Sequence, residues 1–174
     1  MIIAIVLLVF GLRLFFLKRS IRNEKRILQN GGREYGAQNT KYITILHILF
    51  YLGCFSEALV HQTSMDFLSM LGLAFLVASM VALCTVIHLL GDIWTVKLMI
   101  LKDHKFVDHW LFRTIKHPNY YLNVIPELIG LALLCHAKWT FLALFPFYLV
   151  VLYRRIKEEE RLIRDIIIPN GIKS

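Results

Sequence analysis

Five long apolar segments with polar stretches between them limit this chain to very few folds. A helix needs roughly 20 residues to cross the hydrocarbon of a bilayer, and the apolar segments approach or reach that length at residues 2–17, 42–60, 67–90, 120–135 and 139–153. With 57% hydrophobic residues and a mean hydropathy of +0.61, the chain has too few polar side chains to cover a soluble domain. We predict an all-α integral membrane protein, a single membrane domain over residues 1–174 with about five transmembrane helices.

The positions of Lys and Arg predict the orientation. Nineteen of the twenty basic residues fall in three regions, 13–41, 97–116 and 154–173, and only Lys138 lies elsewhere. Loops rich in Lys and Arg stay in the cytoplasm, and with five spans these regions share one face. We therefore expect the N-terminus outside and the C-terminus in the cytoplasm. The net charge of +8 forms no basic patch on a soluble module, so the predicted partner is the bilayer and not nucleic acid.

Two polar segments on the predicted cytoplasmic side have a helical pattern. In the segment 91–118, residues Val107, Trp110, Leu111, Thr114 and Ile115 follow the spacing of one helix face, which predicts a short helix lying in the membrane interface with Trp110 as an anchor. The last span, after a turn at residues 136–138, is expected to continue into the cytoplasm as a helical tail.

Glu127 is the most costly residue of the fourth span, because a charge inside the bilayer needs a partner or water. Tyr120, Asn123 and Glu127 recur at i, i+3 and i+7 and therefore share one face of the predicted helix. We predict these three as catalytic residues that meet a substrate within the membrane. The alternative is a structural hydrogen bond from Glu127 to another helix, for example to the carbonyl freed by Pro126.

The run Arg155-Ile156-Lys157-Glu158-Glu159-Glu160-Arg161 follows the last span. On a helix Glu159 and Glu160 share the apolar stripe marked by Ile156, whereas Glu158 points away. This predicts two carboxylates that face the protein. The alternative is a solvated helix with Arg155–Glu159 and Glu160–Arg164 ion pairs.

The sequence Lys116-His117-Pro118-Asn119-Tyr120 lies where the fourth span begins. Proline suits the first turn of a helix, and the amides that follow it are expected to be free donors for an anion. His104 and His109 do not complete a metal-binding spacing, and the three cysteines lie singly in apolar runs, so no metal is predicted.

Together, His117-Pro118-x-Tyr120, the helical hairpin and Arg155-Ile156-x-x-Glu159-Glu160 resemble the isoprenylcysteine carboxyl methyltransferase family, whose wider group includes phospholipid N-methyltransferases. The resemblance covers roughly residues 91–164. It is closest to a bacterial branch that O-methylates long-chain alkylpyrones, through Trp94-Thr95, residues 97–105, residues 116–120 and Glu127. Lys116 stands where the family has Arg, and Leu122 where it usually has Gly.

The resemblance implies an S-adenosylmethionine-dependent O-methyltransferase in a bacterial plasma membrane, with its cofactor-binding and catalytic part at residues 91–168. The acceptor would be a lipophilic small molecule or a prenylated group that presents a carboxylate or hydroxyl oxygen. The implied cofactor residues are Lys116, His117, Pro118, Tyr120, Arg155, Glu159 and Glu160. Two alternatives stay open: a phospholipid or thiol methyltransferase, and a non-enzymatic membrane protein for transport or assembly.

Overall fold

The computed structural model describes residues 1–101, 105–106, 109–167 and 172–173, and their side chains in 1–101 and 109–165. Within this part the chain is largely helical, and the predicted all-α membrane fold is confirmed. The α-helices are α1 (Ile2–Gln29), α2 (Ala37–Val60), α3 (Phe67–Leu90), α4 (Trp110–Thr114), α5 (Ile125–Cys135) and α6 (Lys138–Leu162). The short strands are β1 (Arg33–Tyr35), β2 (Leu98–Ile100), β3 (Lys105–Phe106) and β4 (Ile172–Lys173).

Three helices of the described residues are long and apolar enough to cross a membrane: Ala37–Val60, Phe67–Ile93 and Lys138–Asp165. They contain the second, third and fifth predicted spans. The fourth is the shorter apolar helix Asn119–Cys135. The first is the apolar half of α1, which continues as a polar helix to Gln29. The count of five spans and the orientation of the termini stay predictions.

The inner face of α1 is a regular stripe. Its buried residues are Ile2, Val6, Val9, Ser20, Asn23 and Ile27. They recur at alternating intervals of three and four residues, apart from the gap between Val9 and Ser20. Arg13, at 19% side-chain exposure, continues that spacing. The inward face of α1 is therefore apolar in its first half, carries Arg13 near its middle and includes the polar Ser20 and Asn23 before Ile27.

Helices α3 and α5 approach each other at two glycines. A side chain on Gly72 would lie 2.6 Å from the carbonyl oxygen of Gly130, and one on Gly130 would lie 2.8 Å from the carbonyl oxygen of Gly72. Small residues at such crossings let backbones pack closely inside a membrane. This contact fixes α5 against α3 and thereby fixes the segment that precedes α5.

That preceding segment, Asn119–Val124, is a π-helix and not the α-helix that the sequence predicts. The N–H groups of Tyr120 and Tyr121 donate to the carbonyl of His117, at 3.1 and 3.2 Å. The amides expected to be free after Pro118 are therefore bonded at these two positions. Since a π-helix has a wider turn, the α-helical spacing that placed Tyr120 on one face with Asn123 and Glu127 does not apply here.

The segment between α3 and α5 differs most from its prediction. The 3₁₀ turn Gly91–Ile93 follows α3, and β2 pairs antiparallel with β1, with Glu34 opposite Met99. The interfacial helix expected from Val107 to Ile115 is only the five residues of α4, where Trp110 is 66% exposed. Val107 lies outside the described residues. The sequence pattern gave no indication of the β1–β2 pair, because its two strands are short and far apart in the chain.

Candidate functional site

A cavity of about 680 Å³ opens where α3 ends and the polar half of α6 begins. All seven residues predicted to hold a cofactor line it: Lys116, His117, Pro118, Tyr120, Arg155, Glu159 and Glu160. Apolar residues from the end of α3 and from β2 also line it, among them Val86, Leu90 and Met99. The lining thus combines charged and apolar residues, and the cavity volume is in the range of small-molecule sites.

Glu159 is fixed by two residues at the start of the fourth predicted span. Nδ1 of His117 lies 3.1 Å from its Oε1, and the hydroxyl of Tyr120 donates to its Oε2 at 2.6 Å. The rings of His117 and Tyr120 stack with their centroids 5.9 Å apart. The motif at the start of the fourth span and the carboxylate of the tail helix therefore form one unit.

Arg155 binds three separate elements and is only 2% exposed. Its guanidinium donates to the hydroxyl of Thr40 on α2 at 2.7 Å, to the carbonyl of Val96 at 3.1 Å and to the hydroxyl of Tyr120 at 3.3 Å. The Arg155–Glu159 pair of the solvated-helix alternative is replaced by these contacts. Arg155 ties α2, the loop before β2 and the π-helix together around the cavity.

The other two glutamates of the run differ in position. Glu160 lines the cavity and accepts a bond from Lys157 at 3.0 Å. Glu158 faces α2, where its carboxylate accepts a hydrogen bond from Asn39 at 2.8 Å, and it is not among the residues that line the cavity. Glu158 therefore points away from the cavity that Glu159 and Glu160 share, and it contacts α2.

Two buried polar atoms in the cavity wall have no hydrogen-bond partner in the described structure: Nε1 of Trp94 and Nε2 of His117. Both side chains are 4% exposed. Trp94 is held through its backbone, since the amide of Asn23 on α1 donates to the Trp94 carbonyl at 2.8 Å. Unpaired buried polar atoms are costly, so these two atoms are candidate contacts for a ligand in the cavity.

The rim of the cavity carries a charged cluster. The ammonium of Lys97 lies 2.5 Å from a carboxylate oxygen of Glu24 on α1 and 3.0 Å from one of Glu34 on β1. These two carboxylates raise the pKa of Lys97 above its ordinary value. The cluster attaches the β1–β2 pair to the polar half of α1.

Asn123 and Glu127, two of the predicted catalytic residues, do not line the cavity. Glu127 is completely buried, and both its carboxylate oxygens bond to the guanidinium of Arg13, one of them at 2.5 Å from Nε. The hydroxyl of Tyr51 donates to the same carboxylate at 2.5 Å. Asn123 accepts a hydrogen bond from Arg13 at 2.7 Å. The catalytic roles of Asn123 and Glu127 stay predictions, and the structure shows both residues binding Arg13.

Sequence reasoning missed Arg13, which we counted among the cytoplasmic basic residues. The structure places it inside the bundle as the partner of Glu127, so it does not contribute to the charge asymmetry. A signal was present, because Glu127 requires a cation and Arg13 is the basic residue nearest the middle of an apolar stretch. Pairing them needed the helix order, which the sequence does not give.

A Ser69–His136–Asp66 cluster lies at the opposite end of the bundle. Both Ser69 Oγ and Asp66 Oδ1 contact the same ring nitrogen of His136, Nε2, at 3.1 and 3.0 Å. A catalytic triad needs one ring nitrogen for the nucleophile and the other for the carboxylate. Asp66 also caps α3 by accepting from the Ser69 amide, so the cluster is a helix cap and turn. Among the described residues no group of three or more His, Cys, Asp or Glu is placed to hold a metal.

The described structure is that of a helical membrane protein with a cavity of small-molecule size beside α3 and α6. The family model described as "Isoprenylcysteine carboxyl methyltransferase (ICMT) family" matches residues 70–165, and the chain belongs to this family. That match includes every residue that we predicted for the site.

Two relatives extend the similarity to most of the chain. A protein of Haemophilus influenzae, whose printed name is "Uncharacterized protein", is 43% identical over 87% of this chain and 88% of its own length. The Bacillus subtilis protein YpbQ, also described as uncharacterized, is 30% identical over 83% of this chain and 85% of its own length. No solved structure matches the chain. These names leave the alkylpyrone branch a prediction.

Proposed function

We propose that this protein is an S-adenosylmethionine-dependent methyltransferase that acts on an oxygen of a lipophilic acceptor at the cytoplasmic face of the membrane. The observation that carries the proposal is the composition of the cavity. Carboxylates, unpaired polar atoms and apolar side chains all line one space of about 680 Å³. A polar methyl donor and an apolar acceptor require both kinds of surface in one cavity.

The residues present fit this donor. Its sulfonium and ammonium groups are cations, and the carboxylates of Glu159 and Glu160 line the cavity. Its carboxylate and its purine and ribose acceptor atoms suit N–H donors, and the indole Nε1 of Trp94 can only donate. Lys116 adds a positive charge at the same cavity. When bound, the donor supplies an electrophilic methyl group.

The surroundings of the cavity suit an acceptor that arrives from lipid. Val86 and Leu90 belong to the last turns of α3, a helix long and apolar enough to span the membrane, and both line the cavity. An acceptor with an alkyl chain could keep that chain along α3 while its polar end enters the cavity. Excluding water there strengthens the interaction of Glu159 and Glu160 with a cationic group.

Donor binding to the purified protein in detergent tests the proposal. We expect saturable binding of S-adenosylmethionine by calorimetry, and Glu159→Gln to weaken it about 10- to 100-fold through loss of a charge-assisted contact. Glu160→Gln should weaken it in the same direction. Glu158→Gln is the matched control, because Glu158 lies on the same helix but bonds to Asn39. Equal affinity in all three variants, or no binding by the folded wild-type protein, would refute the proposal.

A further inference from the structure

The hydrogen bond between His117 and Glu159 determines where the proton of the neutral imidazole lies. Nδ1 is the nitrogen that faces Glu159, at 3.1 Å. An ionised carboxylate only accepts hydrogen bonds, and Glu159 already accepts one from Tyr120 on its other oxygen. Nδ1 of His117 therefore carries the proton in the neutral ring, and Nε2 presents a lone pair.

Nε2 is buried and has no hydrogen-bond partner in the described structure, on a side chain that lines the cavity. Oε1 of Glu160 lies 3.7 Å from Nε2, which is too long for a hydrogen bond but close enough to attract a protonated ring. His117 thus lies between two carboxylates, one that orients it and one that stabilises the charge it gains on protonation.

We infer that His117 is the general base of the reaction and takes a proton from the acceptor at Nε2. The inference rests on the proposed function and narrows the acceptor to molecules whose reacting oxygen is still protonated when they enter the cavity. The O–H bond of the acceptor breaks and its proton goes to Nε2. The oxygen's electron pair forms the bond to the methyl carbon, while the electrons of the broken sulfur–carbon bond stay on sulfur. A carboxylate acceptor, already ionised, would need no such base.

This role differs from the one that the family resemblance implies, in which His117 holds the cofactor. A His117 that holds the cofactor would be a donor at Nε2 and would bind an anion, so that its removal would mainly weaken ligand binding. A general base must be neutral and accept at Nε2, so that its removal would mainly lower turnover. Several charged and titratable groups surround the ring of His117. They are Glu159 and Glu160 on α6, Tyr120 on the π-helix, Arg155, which bonds to Tyr120, and Lys116, which precedes His117 in the chain.

The first experiment separates turnover from binding. Purified protein is given donor labelled in the methyl group and a total lipid extract, and initial rates are measured against pH beside donor affinity from calorimetry. We expect His117→Asn and His117→Gln to lower the rate about 100-fold or more at neutral pH and to regain part of it at high pH, where the acceptor ionises by itself. Donor affinity should change far less than the rate, because Glu159 keeps its bond from Tyr120, and the retained binding also shows that the variants fold. His88→Asn, an exposed histidine at the end of α3, is the matched control and should behave as wild type.

The second experiment examines the product. Methyl esters release volatile labelled methanol in mild alkali, whereas methyl ethers do not. Label that is stable to alkali, together with the loss of rate in both His117 variants, supports His117 as the general base. Alkali-labile label, an unchanged rate in the variants, or a loss of donor affinity in place of turnover overturns it. Binding of the donor without any labelled product refutes the proposed methyl transfer itself, and no binding refutes the donor assignment.

Discussion

Removing Arg13 should destabilise the helix bundle more than removing any other basic side chain of α1. In Arg13→Leu the carboxylate of Glu127 keeps its bond from Tyr51 but loses both bonds from the guanidinium, and it remains completely buried. Breaking a buried ion pair by removing one partner costs about 3–5 kcal/mol. Asn123 also loses the bond that it accepts at 2.7 Å. We therefore expect the free energy of unfolding to fall by about 3–5 kcal/mol, and Glu127→Leu to cost a similar amount.

The double variant Arg13→Leu/Glu127→Leu makes the prediction specific. Replacing both charges with apolar side chains of similar volume is often neutral or stabilising, so the double variant should be more stable than either single variant. Reversible unfolding in mixed micelles, followed by tryptophan fluorescence, gives the four free energies of the cycle. Arg19→Leu, an exposed arginine of the same helix, is the control. A loss below about 1 kcal/mol in Arg13→Leu, the value of a solvated pair, would refute the reasoning, and so would additive losses in the double variant.

Three further predictions concern topology, pH and packing. A reporter fused after Ser174 should behave as cytoplasmic and one inserted at Ala137 as external; the reverse result would overturn the predicted orientation. The raised pKa of Lys97 stabilises the fold, and this stabilisation is complete below the ordinary lysine pKa of 10.5 and is lost as pH rises through the raised pKa. In thermal unfolding in detergent, the stability of Lys97→Met should therefore fall less at alkaline pH than that of the wild type. Gly72→Ala should cost about 1–3 kcal/mol in the same unfolding assay, whereas Gly11→Ala, with no atom within 4 Å of the added carbon, should cost nothing.

The sequence predicted best the parts of the fold that depend on local pattern. The span at residues 67–90 has the bounds of α3, because an uninterrupted apolar run and a capping Asp66 define both its length and its start. The polar continuation of the last span and the turn at residues 136–138 were also correct. His136 adopts a left-handed conformation there, with φ of 53°, which ends α5 and lets α6 begin at Lys138.

Sequence motifs identified several residues that line the cavity, but not the geometry that brings them together. The spacing of Ile156, Glu159 and Glu160 placed two carboxylates toward the protein, and both line the cavity. Periodicity failed at residues 119–124, because a π-helix changes the angle between successive side chains and turns Asn123 away from the cavity and toward Arg13. Sequence spacing predicts shared faces only while the helix type stays constant.

The remaining features depend on contacts between distant parts of the chain, and three of them come from residues 1–69, which precede the family match at 70–165. Asn23 holds the backbone of Trp94, Thr40 holds Arg155, and Arg13 neutralises Glu127. Each contact ends on a residue inside the matched region, and two of these residues line the cavity. The first two helices therefore position the site as well as anchor it. Because their polar contributions are single side chains in otherwise apolar or basic helices, hydropathy alone hides them.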